Sequence, residues 1–259
     1  MTDNKENEVH FVYSFSIVDD LPYLKGLSDN ELASAEINIV QVINDSFIVT
    51  ADEDYLHARF LAIKRLHRAF FWSAAQAIEK YLKAFLLMNG VSVKENSHKI
   101  FPLLEKAIQI DPTIKLTSLN THKAIKINEK TKKHLKKLNI ESFINDIQAN
   151  GTPNNRYNQQ GITFNTSHLL GLDSFVYFLR EKIGAPNIFH NLEKYDSELI
   201  SAFKLNNPFF TDGDTNTLHP IPSHEFPINL QVTVTHLDFL RKNRKNGIEM
   251  TWLDKKMKL

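Results

Sequence analysis

Residues 69–89, AFFWSAAQAIEKYLKAFLLMN, have the strongest helix pattern in the chain. They contain no glycine or proline, and their apolar residues recur at steps of three and four, the period of an amphipathic α-helix. Gly90 follows directly, and a glycine commonly ends a helix in this place. One side of the predicted helix is apolar and formed by Phe71, Ala74, Ile78, Leu82 and Phe85. The opposite side is predicted to be polar and formed by Gln76, Glu79, Lys80 and Lys83.

The same period predicts four more helices, and their short connections indicate an antiparallel bundle. These helices are predicted at residues 52–66, 98–110, 120–149 and 166–183. Thr50 and Glu53 have the spacing of a capping box, and Ser97 is placed to cap the helix that follows it. We expect the bundle to bury together Ile78, Leu82, Phe85, Leu104, Leu172, Phe175 and Leu179.

The two ends of the chain have patterns typical of strands instead. Residues 10–17 and 228–235 alternate apolar and polar side chains, and residues 37–43 and 47–49 are rich in β-branched side chains. A lone strand cannot satisfy its backbone hydrogen-bonding groups, so each of these segments needs a partner. We therefore expect one small β-sheet that both ends of the chain share.

The predicted fold is α+β and mainly α: an antiparallel helical bundle with a small β-sheet formed from the N- and C-terminal segments. We divide the chain into three parts. Residues 1–50 form an acidic N-terminal extension with strands, and residues 51–184 form the helical bundle. Residues 185–259 form a C-terminal extension with a helix, a Pro-rich loop and a strand.

Composition limits the class of protein. The chain is 42% hydrophobic and 24% charged and has no cysteine, which fits a globular protein without disulfides or thiolate chemistry. Its longest apolar run, residues 84–88, is far shorter than the roughly 20 residues of a spanning helix. The first residues lack the pattern of a signal peptide. We expect a cytoplasmic protein with no membrane partner.

Charge is distributed unevenly along the chain. Residues 1–54 hold twelve Asp and Glu against two Lys, a net −10, which leaves +11 for the rest of a chain whose formal charge is +1. Residues 122–137, HKAIKINEKTKKHLKK, form the densest basic stretch. Such a density of ammonium groups suits the neutralisation of phosphates, and the alternative is a solvated helix face. The candidate phosphate contacts are Lys126, Lys130, Lys132, Lys133, Lys136 and Lys137.

Residues 73–90, SAAQAIEKYLKAFLLMNG, resemble the HEPN family (higher eukaryotes and prokaryotes nucleotide-binding). Ala58-Arg59 on the preceding helix, Ser97-His98 at the start of the next one and Asn155-Arg156-Tyr157 before the last helix match the family as well. The resemblance extends over roughly residues 51–184. It implies a HEPN-like up-and-down helical bundle that pairs as a homodimer.

The resemblance also implies a ligand, RNA or a nucleotide, and a toxin–antitoxin or defence setting. A nucleotidyltransferase-type antitoxin is the protein partner that it implies. Many family members are metal-independent RNases with an Arg and a His four to six residues apart. None of the seven arginines of this chain is followed by a His at that spacing. We therefore expect binding of RNA or a nucleotide without the usual RNase motif.

Arg156 and Tyr157 are the leading candidates for ligand contact. A guanidinium binds a phosphate through two hydrogen bonds, and a phenol ring stacks on a base. The alternative is that Arg156 pairs with a carboxylate of the bundle and Tyr157 lies in its core. Glu79 and Lys83 have the spacing of a helix ion pair, which favours a structural role for both.

Two further functions stay open. The protein is a non-catalytic dimerisation or partner-binding module, or it is a weak RNase in which His98 or His168 acts as an unconventional acid or base. The alternative for His98 is a hydrogen-bonded anchor. Histidines and carboxylates between residues 212 and 225 have no spacing that matches a metal motif. No metal and no cofactor is expected.

Overall fold

The computed structural model describes residues 26–94, 98–115, 133, 139–152, 162, 164, 166–188, 194–195, 197–205, 207, 209–210 and 236–256. The described residues are mainly helical, which confirms the predicted helical bundle. The helices are α1 Asp29–Ile43, α2 Val49–Ile63, α3 His67–Met88, α4 Ile100–Ile110, α5 Ile140–Asn150, α6 Thr166–Ile183, α7 Ser197–Lys204, α8 His236–Asn243 and α9 Ile248–Lys256. The bounds of α6 are those predicted from the sequence.

A turn of π-helix, Asn44–Ile48, joins α1 to α2, so residues 29–63 run as one long helical segment. The strands predicted at residues 37–43 and 47–49 are therefore wrong. The β-branched side chains recur at helical spacing, and Ile39, Val42 and Ile48 are buried. Burial of this kind outweighs the small intrinsic cost of β-branched residues in a helix.

The start of the segment is a capping box of Ser28 and Glu31. The box predicted at Thr50 and Glu53 is wrong, because Thr50 lies inside the helical run and its Oγ1 donates to the carbonyl of Ser46 at 2.9 Å.

No strand occurs among the described residues, so the small β-sheet has no support there. The other two segments assigned to that sheet, residues 10–17 and 228–235, lie outside the described residues. The N- and C-terminal parts do meet, but through helices, because α8 and α9 pack on α1. His236 Nε2 lies 3.0 Å from Asn38 Oδ1, and the Asn38 amide donates to Glu249 Oε1 at 3.1 Å.

By length and composition alone, the segment Asp29–Ile63 would pass as a membrane span. In the structure this segment contacts α3, α7, α8 and α9 and buries one side against them. A core helix of a folded domain passes the same test. We therefore assign Asp29–Ile63 to the core of the bundle.

Helix α3 lies at the centre and packs against α1, α2, α4, α5 and α6. The seven residues predicted to be buried together are all buried in one cluster, which confirms that prediction. The polar side predicted for α3 is wrong in one respect, because Glu79 is only 3% exposed. The reason is that α3 packs against five other helices, so its polar side is not exposed to solvent along its whole length.

Helix α4 begins at Ile100, two residues after the predicted start. Its first turn is capped from another helix, because Gln148 Oε1 of α5 accepts from the amides of Ile100 and Phe101 at 2.7 and 3.1 Å.

At the end of α5, Gly151 lies against α3. A Cβ there would stand 2.7 Å from the Phe71 carbonyl oxygen and 2.7 Å from Ala75 Cβ, so only glycine fits.

Two buried ion pairs join α2 to α6. Arg59 of α2 pairs with Asp173 of α6, and two turns away Asp52 of α2 pairs with Arg180 of α6. A tyrosine accompanies each carboxylate: Tyr55 donates to Asp173 at 2.6 Å, and Tyr81 donates to Asp52. Burial, and then the adjacent carboxylate, raise the pKa of both tyrosines well above the usual value, so both phenols stay protonated donors.

Candidate nucleic-acid interface

The turn between α2 and α3, Lys64-Arg65-Leu66-His67-Arg68, carries the cationic side chains of Lys64, Arg65 and Arg68. We call residues 64–68 the α2–α3 corner. Its backbone closes as a Schellman motif: the amide of Leu66 donates to the carbonyl of Leu61 at 2.9 Å, and the amide of Arg65 donates to that of Ala62 at 3.1 Å. Arg65 occupies the left-handed position of the motif, with φ of 61°.

A pocket of about 450 Å³ opens at this corner. Two guanidinium groups, an imidazole and an indole border it, together with an apolar side chain that is 54% exposed, that of Leu66. Trp72 follows Arg68 by four residues on α3, so the two side chains are neighbours on one face of the helix. The lining residues are Arg65, Leu66, His67, Arg68, Ala69 and Trp72.

An aromatic cluster extends from the corner to the start of α6. The ring of His67 stacks on that of Phe164, with centroids 4.1 Å apart, and Phe164 also lies against His168 at 5.6 Å. His168 is 5% exposed, and its Nε2 lies 2.6 Å from Asp146 Oδ2 of α5. The side chain of Asp146 is half exposed, so the pair joins a buried imidazole to a carboxylate at the surface.

His98 lies in front of α4 and has a different environment. Its side chain is 86% exposed, and Nδ1 lies 3.3 Å from Glu79 Oε1. The same Glu79 oxygen accepts from Lys83 at 2.6 Å, so the predicted ion pair of Glu79 and Lys83 is present. The carboxylate thus joins Lys83 of its own helix to the segment that precedes α4. The hydrogen bond fits the anchor role of His98, while its exposure leaves the other ring nitrogen open to solvent.

The structure places few of the residues predicted to contact a ligand. Arg156 and Tyr157 lie outside the described residues, as do five of the six lysines of residues 126–137. Lys133 is described and is exposed. The chain flanking residues 153–161 is described, and it contacts the first two turns of α3: Gly151 lies against Phe71, and Phe164 stacks on His67.

The sequence pattern does not predict a site at the α2–α3 corner. Its signal was the basic run of residues 64–68 beside a tryptophan, in a turn without glycine or proline. No group of three or more metal-ligating side chains occurs in the part of the chain that the structure describes.

These observations define a helical-bundle protein that has one central helix and a basic corner at one end of it. The family model of the HEPN domain matches residues 45–155, a range that contains α2, α3, α4 and α5. This match confirms the resemblance to the HEPN family over residues 45–155. A HEPN domain points, in general terms, to a function related to nucleotides or RNA. Comparisons with curated proteins and with solved structures found no match.

Proposed function

We propose that the protein binds RNA or a nucleotide through its HEPN domain, without the usual RNase motif. The observation that carries the proposal is the α2–α3 corner, which places Arg65, His67 and Arg68 around one pocket beside Trp72. Guanidinium groups neutralise phosphates, and an indole offers a flat face to a base. The combination is typical of surfaces that bind single-stranded nucleic acid.

We propose that Arg156 and Tyr157 contact the same ligand as the α2–α3 corner. The segment of residues 153–161 leaves the described chain beside Gly151 and rejoins it near Phe164, and both flanks contact the start of α3. The described residues on either side of Arg156 and Tyr157 therefore contact the helix that carries the corner. The lysines of residues 126–137 would add diffuse phosphate affinity.

The direct test is the binding of a fluorescent single-stranded RNA, followed by anisotropy at about 50 mM and about 200 mM salt. We expect binding that weakens steeply with salt, because each neutralised phosphate releases counterions. Arg156→Gln should weaken binding, and the matched control Lys255→Gln removes an exposed charge on α9 far along the sequence. Absence of binding at the lower salt concentration would contradict the proposal.

A second candidate is a non-catalytic dimerisation or partner-binding module. Ile37 on α1 is 65% exposed, and Phe239 on α8 is 45% exposed. The two helices pack together through His236 and Asn38, so both apolar side chains lie on neighbouring elements. A homodimer or a nucleotidyltransferase-type antitoxin in a toxin–antitoxin or defence setting is the partner proposed for such a surface. Light scattering of the wild type and of Ile37→Glu separates a dimer from a monomer.

A third candidate is a weak metal-independent RNase. His98 is exposed and hydrogen-bonded to a buried carboxylate, which is a usable arrangement for proton transfer. His168 is buried and paired with Asp146. RNA cleavage in EDTA that disappears in His98→Ala or His168→Ala would favour this function over binding alone.

A further inference from the structure

We propose that the pocket at the α2–α3 corner binds a single nucleoside monophosphate unit, with its base against Trp72 and Leu66 and its phosphate on Arg65 and Arg68. The inference rests on the proposed function and adds the position of the site and the chemistry of the ligand. The shared chemistry is one base with one phosphate. It comes either from a free nucleotide or from one unit of an RNA strand.

The lining of the pocket separates into an apolar part and a cationic part. Trp72, Ala69 and the exposed side chain of Leu66 form the apolar part. Arg65 and Arg68 stand on either side of Leu66 in the sequence and supply planar, permanently charged groups that pair with a phosphate through two hydrogen bonds. The apolar part suits a base and the cationic part suits its phosphate, so together they match one nucleotide.

The size of the pocket limits the ligand. Its volume of about 450 Å³ lies in the lower half of the range of about 300–1,000 Å³ that small-molecule sites occupy. A pocket of this size has room for one base with its phosphate. His67 lines the pocket, and its ring stacks on that of Phe164.

The backbone conformation of Arg65 is the independent observation. The residue stands at the position of the Schellman motif where glycine or asparagine is usual, and its φ of 61° is unfavourable for a residue with a Cβ. Among the described residues, Arg65 is the only non-glycine residue with a positive φ. A guanidinium is therefore held at this point at a cost to the backbone. Such a cost is typical of functional sites.

The test measures the affinity for adenosine 5′-monophosphate by titration calorimetry in four variants of the full chain. Arg65→Gly removes the guanidinium and the backbone cost together, so it should weaken binding about tenfold and raise the urea midpoint of unfolding. Trp72→Leu should weaken binding about tenfold through loss of stacking, and Trp72→Phe should restore most of it. Lys255→Gln is the matched control and should bind as the wild type does.

The outcomes separate this site from the proposed function. If the wild type binds single-stranded RNA with a steep salt dependence, and Arg65→Gly and Trp72→Leu bind both probes as the wild type does, the site is wrong and the function stands. If neither RNA nor adenosine 5′-monophosphate binds, both are wrong. Competition by a 5′-phosphorylated RNA assigns the site to a strand, and adenosine 5′-monophosphate binding without competition assigns it to a free nucleotide. A lower urea midpoint in Arg65→Gly would overturn the argument from the backbone.

Discussion

Arg59 and Asp173 form an ion pair inside the bundle, and both side chains are at most 1% exposed. A second ion pair, Asp52 with Arg180, lies seven residues away on each helix. In this pair the acidic residue is on α2 and the basic residue is on α6, the reverse of the first pair. This reciprocal pattern suits only the antiparallel arrangement of α2 and α6, since a parallel one would bring like charges together. The pairs therefore specify the orientation and the register of the two helices.

Removal of one partner of this pair should strongly destabilise the fold. Arg59→Met leaves the Asp173 carboxylate buried without its cation, and we expect a loss of about 3–5 kcal/mol in the free energy of unfolding. The double variant with Asp173→Leu should lose less than the sum of the two single variants. Urea denaturation of all four proteins measures the coupling, and additive losses would show that the pair carries no interaction energy of its own.

Truncation of Phe85 tests the packing of α3. The ring is 3% exposed in the common core, and Phe85→Ala should cost about 3–5 kcal/mol through lost burial and a residual cavity. Ile37→Ala is the matched control, because that side chain is mostly exposed and its loss should stay within about 0.5 kcal/mol. A cost below about 1 kcal/mol for Phe85→Ala in urea denaturation would mean that the helix faces another way.

The docking of α8 on α1 should depend on pH through His236. Burial lowers the pKa of His236 below its usual value of 6.5, so in the window just below pH 6.5 the unfolded chain binds more protons than the folded one. The stabilisation is complete above pH 6.5 and is lost as the pH falls through the folded pKa. His236→Gln should therefore make the urea midpoint less sensitive to pH between about 5 and 7.

Neutralisation of lysines in residues 126–137 should reduce the salt dependence of RNA binding. The double variant Lys132→Gln with Lys133→Gln removes two charges, and the slope of log affinity against log salt should fall by about one for each lysine that contacts a phosphate. The control removes two exposed charges elsewhere, Lys204→Gln with Lys255→Gln, and should leave the slope unchanged. Equal slopes in the two variants would contradict this prediction and favour the alternative, in which the lysines of residues 126–137 lie on a solvated helix face.

The long helices could be predicted because their apolar residues follow one period over many turns. Helix α6 is the clearest case, with its apolar stripe between Thr166 and the stop at Gly184. Residues 37–43 and 47–49 have the local pattern of strands because β-branched residues favour strands, whereas the core that buries Ile39 and Val42 is formed by distant residues. The cap of α4 could not be predicted from local sequence either, because the acceptor for the amide of Ile100 is Gln148, 48 residues away.

The binding site was harder to predict than the fold. The apolar pattern predicts that one helix ends at Leu66 and the next begins at Ala69, whereas the chain turns at residues 64–66. The turn has an arginine in the place of the usual glycine, so the local signal of a helix end is missing. The pocket forms only once the turn has placed Arg65 beside Trp72, and neither residue indicates a site by itself.

The contact between α1 and the α8–α9 pair has a consequence for synthesis of the chain. Asn38 leaves the ribosome early, but Glu249, which accepts its hydrogen bond, follows 211 residues later. At about 5–20 residues per second, α1 waits about 10–40 s for the helices that cover it. The helices around α3 have been synthesised by then, so α8 and α9 can close over α1 only after them. Chains released before residue 236 would therefore expose this side of α1 to other nascent chains.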